Sequence, residues 1–198
     1  MPSERIAEIV FYAVIACWIG FAMVFALRKR PEKKPETTRD RAAGAGIFLQ
    51  GLGYFTVWFW TRQRSGFRPL ASMTRPCEIA LAVFTVALAA GSVWLVMSAV
   101  RTLGRQWAVA ARLVEGHKLI SDGPYQWVRN PIYTGMFGML LATGLGVSRW
   151  IVIPPAILVF AVGMTIRIRS EEKLLRAAFG EEFEAYARRV PAVLPGIY

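Results

Sequence analysis

The chain has 198 residues, 55% of them hydrophobic, with a mean hydropathy of +0.40 and a formal net charge of +11. A soluble domain of this length does not normally carry so much apolar surface, which excludes an ordinary water-soluble fold. Nucleic-acid binding is not the meaning of the charge either, because Lys and Arg stand in connectors between apolar runs and no recognition motif accompanies them.

Charge-free runs occur at Ile9–Leu27, Ala42–Thr61, Ile79–Val100, Asn130–Ser148 and Trp150–Ile166, each 17 to 22 residues long. A helix needs about 20 residues to cross the hydrocarbon of a bilayer, so the expectation is an all-α, polytopic membrane protein with about five transmembrane helices. Residues 1–198 read as a single membrane domain, with three spans in 1–103 and the remainder in 104–198. The first run is longer than the apolar core of a secretory signal and follows acidic Glu4 and Glu8, so it is expected to remain as a span. After it, "RKRPEKKPETTRDR" (28–41) is a hydrophilic connector whose prolines oppose helix continuation. In the second run, Gly44, Gly46, Gly51 and Gly53 favour close helix approach, and "YFTVWFW" looks like an interfacial aromatic belt. Cys17 and Cys77 have no partner spacing and read as small apolar residues.

Segments 28–41, 101–129 and 167–198 hold 7, 5 and 6 of the 24 Lys and Arg residues. Placing all three in the cytoplasm satisfies the positive-inside rule, with the N-terminus outside and the C-terminus inside. Beyond the fifth run, Leu175, Phe179, Phe183, Tyr186 and Val190 recur at steps of three or four between charged residues. They predict a C-terminal amphipathic helix, weakened at Gly180, lying along the interface or against the other helices.

Polar information concentrates in the loop 112–133 and in the stretch from Arg167 to Tyr198. Arg167 and Glu171, four apart, share one helix face, and Arg169 and Glu172, three apart, can meet on a neighbouring one. Such pairs are either helix-end ion pairs or a face offering a cation and a carboxylate to a charged ligand. His117 is the one histidine, and with no second His or Cys at ligand spacing a metal is not expected. "DGPY" reads as a tight turn; in "RNPIY", Pro131 suits the first helical turn, with Asn130 as candidate N-cap. The free N–H groups of that helix entrance favour a carboxylate. No dinucleotide fingerprint, phosphate loop, nucleophile elbow or zinc signature occurs.

"GHKLISDGPYQWVRNPIYTG", followed by "EEKLLRAAFGEEFEAYARRVPAVLPG", resembles the isoprenylcysteine carboxyl methyltransferase family and the related phospholipid methyltransferases. The resemblance covers roughly residues 104–196 and implies an integral membrane enzyme using S-adenosyl-L-methionine. It implies cofactor contacts at His117, Lys118, Leu119 and Ile120, at Tyr125, and at Arg129, Asn130, Pro131, Ile132 and Tyr133. Glu171 corresponds to a cofactor-binding glutamate and Arg167 to an arginine linked with substrate, which makes these two the catalytic candidates. Asn130 stands where the isoprenylcysteine enzymes have histidine; asparagine hydrogen-bonds but cannot titrate, a feature more like the phospholipid and general bacterial relatives.

The expected reaction is an in-line displacement at a sulfonium methyl, in which the protein aligns the acceptor and excludes water. Glu171 would hold the cofactor's ammonium or ribose hydroxyls, the entrance of the fourth helix its carboxylate, and Arg167 the acceptor. The acceptor is a lipophilic molecule or lipid reached from the membrane, with a prenylcysteine-like carboxylate favoured because it is ionised and needs no base. The alternatives are methylation of a phospholipid or of a small thiol or amine, an NADPH-dependent sterol-reductase-like protein, and a non-catalytic membrane binder.

Overall fold

The structure is a computed structural model that describes residues 2–27, 36–39, 42–61, 73–104, 112–114 and 119–193. Each apolar run forms a helix: α1 (Pro2–Ala26), α2 (Ala42–Phe59), α3 (Arg75–Leu103), α4 (Pro131–Val147) and α5 (Ile153–Phe179), followed by a short α6 (Glu181–Ala187). Three of them, α1, α3 and α5, are long and apolar enough to cross a membrane, as in an integral membrane protein. The outward faces agree. Phe48, Leu52, Phe55 and Phe59 on α2, like Ile9, Tyr12, Ile19 and Met23 on α1, recur at helical spacing and are exposed. Faces so apolar match hydrocarbon and not water.

An all-helical reading needs one amendment. Two short strands, β1 (Glu36–Arg39) and β2 (Arg112–Val114), pair antiparallel. The ribbon ties the hydrophilic connector after α1 to the loop after α3, so both leave the same end of the bundle.

Helix α4 is the centre of the bundle. Its residues Met139, Leu140, Ala142 and Thr143 are at most 1% exposed, and α1, α2, α3 and α5 all pack on it. Glycines let them come close: a Cβ on Gly135 would meet the Ser92 carbonyl oxygen of α3 at 2.9 Å, and one on Gly146 would meet Val14 and Val10 of α1 at 3.1 and 3.2 Å. Trp18 of α1 donates its indole N–H to Thr143 at 2.9 Å, satisfying a polar pair where no water is at hand. At the far end, the Ser148 hydroxyl donates to the Val57 carbonyl at 2.5 Å, and the Arg149 N–H to that of Trp60 at 2.9 Å.

The tightest seam joins α2 to α5. A Cβ on Gly163 would lie 2.7 Å from the Gly46 carbonyl oxygen and 2.9 Å from the Gln50 nitrogen, and one on Gly53 would lie 3.1 Å from the Ala156 carbonyl oxygen. Two of the four α2 glycines, Gly46 and Gly53, thus serve close approach as expected, whereas Gly44 and Gly51 face open space. Gly163→Ala is expected to destabilise the bundle by about 1–3 kcal/mol, because backbone must move to admit the methyl. Gly51→Ala, which meets nothing within 4 Å, should not. Melting of the two detergent-purified variants checks this; equal melting temperatures would mean the seam is looser than described.

The direction of packing follows from these pairs. Gly46 meets Gly163 and Gly53 meets Ala156, so α2 and α5 are antiparallel; by the same argument α4 runs against α1, α3 and α5. The start of α4 and the end of α5 therefore share an end with both strands. Helix α5 also runs about three and a half turns beyond the fifth apolar run, to Phe179, and the expected amphipathic helix is split in two. Gly180, at φ +50, ends α5 and opens α6. Phe183 and Tyr186 are buried against the bundle, so the apolar stripe packs on protein.

Candidate functional site

Two side-chain links close the mouth of α4 against the last turns of α5. The Tyr133 hydroxyl, in the first turn of α4, donates to Glu171 Oε1. Just outside that helix, Arg129 Nε donates to Glu172 Oε1 at 3.0 Å, with both side chains under 10% exposed. Charge-assisted bonds of this kind are the strong ones, and at this burial they fix the relative position of the two elements.

Around Tyr133 three helices converge. Arg167, one turn before Glu171, places its guanidinium carbon 4.8 Å from the centre of the Tyr133 ring, a cation over an aromatic face. Its Nη2 lies 3.9 Å from Glu171 Oε1, and its Nη1 donates at 2.9 Å to Oε1 of Gln50 on α2. The side chain of Arg167 is 10% exposed and that of Glu171 30%, so the carboxylate keeps acceptor capacity toward a ligand. The expected i,i+4 face is therefore real, and the structure joins it to Tyr133 and Gln50.

Tyr125 sits in a 3₁₀ turn over Gly123–Gln126, where Gly123 takes φ +58 as the "DGPY" turn requires. Burial first, then the charges of Glu171 and Tyr186, hold the Tyr125 phenol well above its usual range. It therefore remains an O–H donor beside the carboxylate. The backbone of Tyr125 is pinned from behind: the Tyr186 hydroxyl of α6 donates to its carbonyl at 2.7 Å, and burial pushes that phenol up to about 12.

Arg129 and Asn130 do something the sequence did not indicate. Arg129 Nη1 donates to the carbonyls of Ala187 (2.9 Å) and Val190, while its backbone N–H reaches Pro191 at 2.8 Å. Asn130 sends its backbone N–H and its Nδ2 to the Ala192 carbonyl, both at 3.0 Å. Thr134 donates to Val193 at 2.7 Å. Residues 187–193 thus lie as a strap across the entrance of α4. Two expectations change. Asn130 makes no side-chain cap, because its amide is committed to the strap; Pro131 does take the first helical position. Arg169 does not pair with Glu172: it is exposed, while Glu172 turns inward to Arg129 and to Arg176, whose Nη2 is 3.2 Å away.

Of the other expected residues, Ile132 packs into the apolar cluster shared by α1, α3 and α4. Leu119 and Ile120 are half-buried ahead of the turn, and His117 and Lys118 lie outside the described residues. Sequence reasoning missed Gln50, the pairing of Glu172 with Arg129, and the strap. Glu172 had a partial signal in its four-residue spacing to Arg176. Gln50 had a better one, as the single side-chain amide in its apolar run.

A profile of the family described as phospholipid methyltransferase matches residues 80–182, from within α3 to the start of α6. The chain is 33% identical over 87 residues to a protein-S-isoprenylcysteine O-methyltransferase of Schizosaccharomyces pombe, covering 44% of this chain and 37% of that one. It is 36% identical over 97 residues to the cobalt-zinc-cadmium resistance protein CzcN of Cupriavidus metallidurans (48% and 44% covered). To a methanethiol S-methyltransferase of Crocosphaera subtropica it is 40% identical over 77 residues (37% and 28% covered). The chain spans about half or less of the length of these relatives. The matched region contains Tyr125, Arg129, Tyr133, Arg167, Glu171 and Glu172, all of the α4–α5 closure, and extends over more than half of the sequence: the chain belongs to the phospholipid methyltransferase family.

Proposed function

We propose that this chain is an integral membrane methyltransferase that takes S-adenosyl-L-methionine at the end of the bundle where α4 begins and α5 finishes, and methylates a lipophilic acceptor. The convergence of Tyr133, Arg167 and Glu171 at that end carries the reading. On it, α2 and α4, with 18 and 17 residues, also span the bilayer, at the short end of the usual range. Their end of the bundle, which receives the basic connectors, is the cytoplasmic one.

The residues present fit a zwitterionic nucleoside. Glu171 offers a partly exposed carboxylate for an ammonium or hydroxyls, and Arg167 a cation for an anionic oxygen. Tyr125 offers a hydroxyl, and Gln50, 2% exposed, has an Nε2 without an acceptor among the described residues. When bound, the donor supplies an electrophilic methyl carbon and a neutral thioether leaving group. Everything else falls to the chain. Tyr133 and Arg167 hold Glu171 in place, the strap fixes the α4 mouth, and the buried surroundings exclude water that would compete for the methyl. Neither Asn130, which cannot titrate, nor Arg129, tied to Glu172, is placed to act as a base. An acceptor already ionised at neutral pH, such as the carboxylate of a prenylcysteine-like molecule, suits such a site. The likeness to a methanethiol S-methyltransferase supports a small thiol as the second reading.

Calorimetric titration of the detergent-purified protein with S-adenosylhomocysteine is expected to show one-to-one, micromolar binding. A wild-type protein that binds none, or that binds NADPH in its place, ends this reading.

A further inference from the structure

Gln50 lies on α2, outside the region matched by the family profile, and its side chain is 2% exposed. The orientation of its amide is not ambiguous. A guanidinium has donors only, so the atom facing Arg167 Nη1 at 2.9 Å must be the oxygen. The Nε2 amide then points away from that bond, and it has no hydrogen-bond partner among the described residues. The backbone that carries it is held close against α5. The Gly46–Gly163 contact holds α2 and α5 backbone to backbone, with a Cβ on Gly163 only 2.9 Å from the Gln50 backbone nitrogen. In a bundle whose outer faces meet hydrocarbon, no bulk water is available to satisfy a buried N–H, so leaving it bare costs free energy. Chains keep such groups where something else completes them.

The Oε1 and Nε2 atoms of one amide are only about 2.3 Å apart by ordinary covalent geometry. Nε2 therefore lies within about 5 Å of Arg167 Nη1, near enough for one ligand group to accept from both side chains. Adjacent donors, one of them cationic, suit an anionic oxygen. We propose that Gln50 is a specificity-determining residue, whose Nε2 donates to a carboxylate or phosphate oxygen of a ligand that Arg167 also faces. This rests on the methyltransferase reading and adds to it the chemistry of what sits at the α2 side of the site. The anion is carried either by the amino-acid part of the methyl donor or by the acceptor.

Two variants separate recognition from mere support of Arg167. Gln50→Glu keeps an oxygen for Arg167 but replaces the donor with a carboxylate; Gln50→Met keeps the volume and removes both. Calorimetry with S-adenosylhomocysteine, with 5′-methylthioadenosine (which lacks the amino-acid carboxylate) and, at saturating S-adenosylhomocysteine, with N-acetyl-S-farnesylcysteine reads the outcome. If the anion belongs to the donor, both variants lose about 10-fold or more in S-adenosylhomocysteine affinity and none for methylthioadenosine. If it belongs to the acceptor, S-adenosylhomocysteine binding is unchanged and the farnesylcysteine affinity falls by a similar factor. Gln50→Glu that binds all three ligands like wild type overturns the assignment and leaves Gln50 a support for Arg167. Wild type that binds no S-adenosylhomocysteine overturns the methyltransferase reading and this inference with it, so the two failures are distinct.

Discussion

Glu171→Ala is expected to weaken S-adenosylhomocysteine binding by about 100-fold or more. Loss of a charge-assisted bond to the ligand, worth about 1.5–3 kcal/mol, adds to the disorder the substitution leaves behind. Arg167 loses the carboxylate 3.9 Å away and the Tyr133 hydroxyl loses its acceptor, so two groups that shape the site are released together. Glu171→Gln should fall between, since its amide oxygen still accepts from Tyr133 while the charge is gone. The measurement is calorimetry on folded protein, with melting as a check on integrity. An unchanged affinity in Glu171→Ala removes this residue from the site, whatever the family likeness.

The second large effect is on stability. Arg129→Met breaks a buried ion pair and leaves Glu172, whose side chain is 9% exposed, with the more exposed Arg176 as its remaining partner, at an expected cost of up to about 3 kcal/mol. It also frees the carbonyls of Ala187 and Val190, so the strap should loosen over residues 187–190, while Asn130 and Thr134 still hold its end. Tryptic cleavage after exposed Arg188 and Arg189 should accelerate in parallel with the fall in melting temperature. Arg129→Met/Glu172→Met should recover part of the loss, because no buried carboxylate is then left short of its inner partner, and Arg176 is exposed enough to be solvated. The opposite pattern, with stability and tryptic rate unchanged but S-adenosylhomocysteine binding lost, would show that Arg129 is a ligand contact and that the strap holds without it.

Local and periodic features were readable from the residues. The five helices fall on the five charge-free runs, since hydrophobic length is the feature that membranes select. The Arg167–Glu171 face follows from helix geometry, and so does the start of α4 at Pro131. What was not readable depends on which surfaces meet. Arg129 and Glu172 are 43 residues apart, and Gln50 and Arg167 are 117 apart; nothing in either local pattern names the other. Asn130 shows the cost of local reasoning. An asparagine before a proline is a fair N-cap, but the tertiary partner, the Ala192 carbonyl, won its amide. The amphipathic stripe was read correctly as a pattern, yet only packing could decide that it lies on protein.

The close seam between α2 and α5 has a consequence for traffic. Backbones touch from Gly46 opposite Gly163 to Gly53 opposite Ala156, and the Tyr54 and Phe160 rings, 5.3 Å apart, fill the flank. No acyl or prenyl tail can slip sideways through a wall that admits not even a methyl group. If the acceptor of the proposed reaction comes from the bilayer, it must use another doorway, since this panel stays closed in front of Arg167.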